Sequence, residues 1–145
     1  QEGIELMRNV RDQNFAVQAD GGNGGDGFQG FDESQKSCRV DANGMTCNPS
    51  QGSPSSRSYY LSAPTNPGAG GRFTNTGSVS RFARYIYVDY NSADKTARVV
   101  SYVFWDWSNG GSMPSFVPSN GSITNCTLAN KCVFSEIFLT QWGLL

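Results

Sequence analysis

The chain has 145 residues, with 11 Lys and Arg against 12 Asp and Glu, and no histidine. This length suits one domain with its own core, and the near-neutral charge without a basic cluster argues against nucleic acid as the main partner. The absence of histidine excludes Ser-His-Asp and Cys-His catalysis, while abundant Gly, Ser and Asn with only 16% charged residues are typical of an extracellular, loop-rich β protein.

Residues 1–18 have the apolar spacing of an amphipathic helix. The positions predicted to face a sheet recur every three to four residues and are Ile4, Met7, Val10 and Phe15. The charged residues Glu5, Arg8, Arg11 and Asp12 are predicted to form a solvated face, with opposite charges at helical spacing. Because no N-cap residue precedes the pattern, we expect the helix to continue upstream of Gln1. A frayed helix end is the alternative.

Residues 19–80 are predicted to be mostly loop, with a hairpin tip at 41–44 and a short strand at 58–61. Residues 21–29 fit the calcium nonapeptide G-G-x-G-x-D-x-U-x, for which Asp20, Asn23 and Asp26 offer oxygen ligands. Such sites form between stacked copies, and this chain has one copy. A glycine-rich turn is therefore the preferred interpretation, calcium is the alternative, and no other cofactor is predicted.

Three stretches of the second half have the alternation and composition of β-strands. Residues 81–90 and 96–107 flank a polar turn at 91–95 and predict a long antiparallel hairpin. Residues 133–142 predict a last strand with Ile137 and Leu139 inward, and a loop inserted at 108–134 carries two cysteines. Residues 81–142 thus predict an antiparallel sheet which, with the helix packed on it, makes a single α+β domain.

Alternation divides the side chains of the first of these strands between two faces. One face contains Phe82, Ile86, Val88 and Tyr90. The other contains Tyr85 and Tyr87, which are predicted to be surface aromatics and are candidates for stacking on a sugar ring. Cross-strand packing is the alternative for aromatic residues on strands.

The four cysteines, Cys38, Cys47, Cys126 and Cys132, allow three disulfide pairings. The pairs Cys38–Cys47 and Cys126–Cys132 close the shortest loops and therefore need the least chain closure. A zinc site is disfavoured because the chain has neither C-x-x-C spacing nor histidine. Two disulfides imply export to an oxidising compartment.

The acidic residues form no recognisable catalytic pattern. Asp89, Asp94, Asp106 and Glu136 are scattered over turns and strands, whereas a glycosidase needs a facing pair of carboxyl groups. An S-x-x-K match begins at Ser92, but it falls in the predicted hairpin turn and lacks its partner motifs. We therefore predict that the protein is not an enzyme.

The helical stretch at residues 2–15, EGIELMRNVRDQNF, carries a family resemblance. It resembles the E-G-I-E-x-x-R-N-I-R-D-x-N-[FW] stretch that follows the membrane helix of many type IV pilins and type II secretion pseudopilins. Residues 81–84, 99–105 and 138–142 lie where similar proteins carry strands.

The resemblance implies a structural subunit of an extracellular type IV pilus or related pseudopilus, anchored in the inner membrane through an upstream helix before assembly. Its partners would be other pilin subunits, through Glu5, Arg8, Arg11 and Asp12, through residues 16–80 and through the Cys126–Cys132 loop. A host surface or glycan is a further candidate partner. Both a major and a minor subunit fit the resemblance. The alternative from the residues themselves is a secreted adhesin or glycan-binding module.

Overall fold

A computed structural model of the chain describes residues 1–19, 28, 31, 36–41, 44–48, 60–62, 79–105 and 121–141. It contains one helix and six strands within those residues: α1 (Glu2–Ala19), β1 (Lys36–Asp41), β2 (Gly44–Asn48), β3 (Tyr60–Ser62), β4 (Val79–Asn91), β5 (Thr96–Trp105) and β6 (Cys132–Thr140). The predicted α+β class, with an N-terminal helix and an antiparallel sheet of β4, β5 and β6, is confirmed.

The antiparallel sheet has the strand order β2-β1-β4-β5-β6, and β3 also pairs with β4. In the central hairpin Val88 lies opposite Val99. On the other side of β5, Val99 lies opposite Ile137. The backbone also forms a β1–β2 hairpin where the sequence predicted mostly loop, and this hairpin places Cys38 opposite Cys47 in register.

Each face of the sheet carries a buried core. On one face α1 packs against the strands and forms the helix-side core, whose buried members are Ile4, Leu6, Met7, Phe28, Phe31, Ile86, Val88, Tyr90, Ala97, Val99 and Leu139. On the other face residues 121–131, which we call the cap loop, cover a second core formed with Ala83, Tyr85, Tyr87, Val100, Tyr102, Phe104 and Cys132. The pleat separates the two sets because successive strand residues point to opposite faces.

The predicted apolar face of the helix is confirmed. Ile4 and Met7 are buried, and Val10 packs against the same core. Phe15 contacts Phe28 edge to face, with ring centroids 6.4 Å apart. Phe28 itself is fully buried, so an aromatic residue from the predicted loop region completes the helix-side core, a role its sequence context did not predict.

The predicted turn between β4 and β5 is confirmed and is organised by Asn91. Its Oδ1 accepts hydrogen bonds from the backbone N–H groups of Ala93 (2.9 Å) and Asp94 (3.4 Å), the geometry of an Asx turn. Lys95 completes the turn with a left-handed backbone, φ 52°. The S-x-x-K match that begins at Ser92 therefore lies in a hairpin turn, as the sequence predicted.

Several predicted features lie outside the described residues. These include the calcium candidates Asp20, Asn23 and Asp26, and also Asp106. The calcium hypothesis therefore stays a prediction, as does the Cys38–Cys47 disulfide.

Candidate functional surfaces

Three surfaces of the described chain have the chemistry to engage a partner: the outer face of α1, the cap loop and the edge strand β6. The outer face of α1 is mostly polar. Its exposed positions follow one side of the helix and are Glu5, Asn9, Asp12, Gln13 and Ala16. Arg8 joins this face, with its Nη1 2.7 Å from Oε1 of Glu5. The predicted Glu5–Arg8 pair is therefore confirmed.

Arg11 does not belong to this outer face, and the prediction that its side chain is solvated is wrong. The residue is only 7% exposed. Its Nη2 lies 2.7 Å from Oδ1 of Asp12, and its Nη1 donates to the backbone carbonyl of Thr140 at 3.5 Å. The long stem lets the guanidinium fold over the end of β6 instead of extending into solvent.

The inner side of the first turn of α1 approaches the sheet very closely. A Cβ atom at Gly3 would lie 2.5 Å from Oγ of Ser101 and 3.0 Å from Cδ of Arg84. Arg84 is 3% exposed, and its Nη1 lies 3.5 Å from the Glu2 carboxylate. Gly3 is therefore the residue that allows α1 to pack over this charged and polar part of the sheet.

The cap loop buries Tyr85 and Tyr87, so their prediction as surface aromatics is wrong. They are 0% and 2% exposed, respectively. Tyr85 stacks on Tyr102 with ring centroids 5.6 Å apart, and the cap loop lies over this aromatic face. Alternation correctly separated these tyrosines from the helix-side residues, but a segment more than 30 positions later in the chain covers them. Neither tyrosine is free to stack on a sugar ring.

A disulfide and side-chain hydrogen bonds attach the cap loop to the sheet. The Cys126–Cys132 disulfide, which confirms that predicted pairing, joins it to the start of β6. The Tyr102 hydroxyl donates to the Ser122 carbonyl at 3.0 Å. Nη2 of Arg98 donates to the Gly121 carbonyl at 3.1 Å. Together these contacts hold the loop at both of its ends.

Burial makes Tyr102 and Tyr87 weaker acids than a free tyrosine. Burial raises the pKa of Tyr102, and neighbouring Tyr85 raises it further. Burial also raises the pKa of Tyr87, and the nearby carboxylate of Asp89 raises it further by a smaller amount. Since unfolded tyrosine loses its proton near pH 10, the unfolded state releases protons that the folded state retains above that pH. The contribution of these two tyrosines to the free energy of unfolding is therefore fully present below about pH 10. It falls as the pH rises toward their folded-state pKa values.

Replacing Tyr102 with phenylalanine is expected to change how the free energy of unfolding falls above about pH 10, which we call the alkaline limb. At neutral pH Tyr102→Phe should be less stable by about 1 kcal/mol, because the Ser122 carbonyl loses its donor. Above about pH 10 the stability of the variant should fall less steeply, because one late-titrating group is gone. Urea unfolding from neutral to alkaline pH, with phenolate absorbance followed in parallel, tests this. An alkaline limb as steep as that of the wild type would contradict the role of Tyr102.

The acidic residues that the structure describes lie in separate places. Asp94 accepts a hydrogen bond from Nδ2 of Asn91 in the hairpin turn, and Glu136 pairs with Arg98 across β5 and β6. Asp89 is exposed on β4. Within the described ranges, no three His, Cys, Asp or Glu residues lie together in an arrangement that could hold a metal ion.

The outer strand β6 has exposed apolar side chains that were not predicted from the sequence. Phe138 is 65% exposed and Phe134 is 41% exposed. The signal was present in the strand alternation, because both residues are out of phase with the inward residues Ile137 and Leu139. Exposed side chains of this size at the outer edge of a sheet make β6 a candidate interaction surface.

Comparison with known protein families, with curated proteins and with solved structures finds no match for this chain. Among the residues that the structure describes, no helix has the length and apolar character needed to cross a membrane.

Proposed function

We propose that the chain is the globular head of a pilin-like subunit, which acts by assembly into, or display on, an extracellular filament or pseudopilus. The observation that carries the proposal is the placement of α1. This 18-residue helix buries one face on an antiparallel sheet and leaves a continuous polar face open from the first residues of the chain. A helix placed this way can extend upstream as an anchor while its polar face contacts neighbouring subunits.

The chemistry of that polar face supports intersubunit pairing. Glu5, Arg8 and Asp12 carry both signs of charge, so an adjacent copy can offer complementary groups. Within one helix the exposed Glu5–Arg8 pair contributes only about 0.3–0.5 kcal/mol, so its exchange for a contact between subunits costs little stability. Arg11 has no part in this contact because it is buried against β6.

The alternative of a secreted glycan-binding module loses its two named aromatic residues, since Tyr85 and Tyr87 lie beneath the cap loop. The predicted absence of enzymatic activity remains part of the proposal. The assembly function would be the same for a major and a minor subunit.

Reversing the charge of Arg8 tests the proposal in cells that make the native protein. Arg8→Glu is expected to abolish or strongly reduce surface filaments while the cellular amount of subunit stays unchanged, because reversal creates repulsion at every repeated contact. Arg8→Gln is the matched control and should show a smaller loss. Filaments are measured by shearing and immunoblot, and circular dichroism of the purified head checks that both variants fold.

The intact mass and N-terminal sequence of the native subunit provide the second measurement. We expect about 20–30 additional residues upstream, enough for an apolar helix that crosses a bilayer. A native product without such a helix, or wild-type filament levels in Arg8→Glu, would contradict the proposal.

A further inference from the structure

The outer edge of β6 has backbone groups that point away from β5, and no described strand pairs with them. Trp105 donates its N–H to the Lys131 carbonyl, and Gln141 donates to the Lys95 carbonyl. In an antiparallel pair such bonded positions alternate with positions whose N–H and C=O groups point away from the partner strand. The even-numbered residues of β6 therefore direct their backbone groups away from β5. Within the described part of the chain, no strand pairs with that side of β6.

The two ends of this edge are already engaged. The N–H of Cys132 donates to the Thr127 carbonyl at 2.9 Å. At the other end, the Thr140 carbonyl accepts from Arg11. Between these ends Phe134, Glu136 and Phe138 present their backbone groups outward. Their side chains share the face of the sheet opposite α1, since each lies across from a β5 residue of that face.

We propose that this edge binds a second copy of the same chain, strand β6 against strand β6, antiparallel and centred on Glu136. In this register Phe134 of each copy lies opposite Phe138 of the other. Both exposed aromatic side chains of each copy are then covered by cross-strand contact, and aromatic cross-strand pairs stabilise a sheet. The inference is independent of the proposed function, because it concerns the head domain alone.

The pattern of engaged groups favours the same register. With Glu136 at the centre, Cys132 of one copy lies opposite Thr140 of the other. The N–H of Cys132 and the C=O of Thr140, which are already bonded within each copy, would then face each other. The groups that remain open, the C=O of Cys132 and the N–H of Thr140, would also face each other. A shift by two residues instead places Phe134 opposite Glu136 and Phe138 opposite the engaged Cys132.

Charge at the centre is balanced within each copy. Glu136 accepts a hydrogen bond from Nε of Arg98 in its own subunit, so two acidic and two basic groups surround the twofold axis. The contact is isologous, and it therefore closes as a dimer. Because one short strand edge buries less area than a standard interface, we expect a weak dimer that forms at high protein concentration.

Sedimentation velocity of the 145-residue chain over a concentration series measures this dimer. We expect a monomer–dimer equilibrium for the wild type and a monomer at all concentrations for Phe138→Lys, which places a charge at the aromatic contact. Phe82→Lys is the matched control and should dimerise like the wild type, because Phe82 is 37% exposed but lies on β4, which β5 separates from β6. Unfolding curves confirm that both variants fold.

Cysteine cross-linking tests the register. Glu136→Cys should form an intermolecular disulfide on mild oxidation, because directly opposite residues of an antiparallel pair lie within disulfide reach. Val133→Cys, on the same strand, should not cross-link to itself, since it lies opposite Leu139 of the other copy. A monomeric wild type at all concentrations, a dimer that survives Phe138→Lys, or equal cross-linking at both positions would overturn the proposal. Loss of filaments in Arg8→Glu has no bearing on these readouts.

Discussion

Replacing Gly121 with alanine is expected to lower the free energy of unfolding by about 3 kcal/mol, from backbone strain and overpacking together. Gly121 has φ +70°, a left-handed conformation that a residue with a Cβ atom adopts only at a cost. The added Cβ would also lie 2.3 Å from Cδ1 and Cε1 of Tyr87. Because Tyr87 is held between the sheet and the cap loop, its ring has little room to move. The whole loop must therefore shift, which also weakens the Arg98 contact to the Gly121 carbonyl.

Urea unfolding of a double-variant cycle separates the two causes. In a Tyr87→Ala background the ring is absent, so Gly121→Ala should cost only the backbone strain, about 1 kcal/mol. Ser122→Ala, at the adjacent position, is the control for a small side-chain change in this loop. If Gly121→Ala costs the same with and without the Tyr87 ring, the close approach of Gly121 to that ring is not what restricts the position.

Replacing Gly3 with alanine is expected to destabilise the protein by about 2 kcal/mol, although the same change in an exposed helix stabilises by up to about 1 kcal/mol. The Cβ atom would meet Oγ of Ser101 at 2.5 Å, Cδ of Arg84 at 3.0 Å and Cδ1 of Ile86 at 3.3 Å. These atoms belong to buried side chains, so α1 must move away from the sheet and part of the helix-side core must open. The sign of the change in the free energy of unfolding therefore shows whether the first turn of α1 packs against the sheet.

Ser101 provides the diagnostic second substitution. Its Oγ is buried without a hydrogen-bond partner, so Ser101→Ala alone should be neutral or slightly stabilising. The same change removes the atom closest to the new methyl group, and it should reduce the cost of Gly3→Ala. Asn9→Ala on the exposed face of α1 is the matched control and should gain a few tenths of a kcal/mol from helix propensity. A stabilising Gly3→Ala would mean that the first turn does not pack on the sheet in solution.

Local pattern predicted the main elements because each depends on neighbours in sequence. Apolar spacing in residues 1–18 marked α1 and its buried residues Ile4 and Met7. Alternation marked β4, β5 and β6, and it assigned Ile137 and Leu139 to the correct side. The Cys126–Cys132 pairing followed from the short loop that it closes. The β1–β2 hairpin was missed beyond its tip, because its strands lie in a region whose Gly, Pro, Ser and Asn content indicates loop.

The helix, the central strands, the local disulfide and the two faces of the sheet could thus be predicted, since they follow from periodicity and short-range chain closure. Which of the surfaces are covered depends on contacts between distant segments of the chain. The cap loop returns over Tyr85 and Tyr87, and the end of β6 receives the Arg11 side chain. The requirement for glycine at Gly3 and Gly121 arises from atoms distant in sequence, Ser101 and Tyr87. These contacts join residues that are far apart in the sequence. The periodicity of one strand or helix does not specify which distant segment packs on its face.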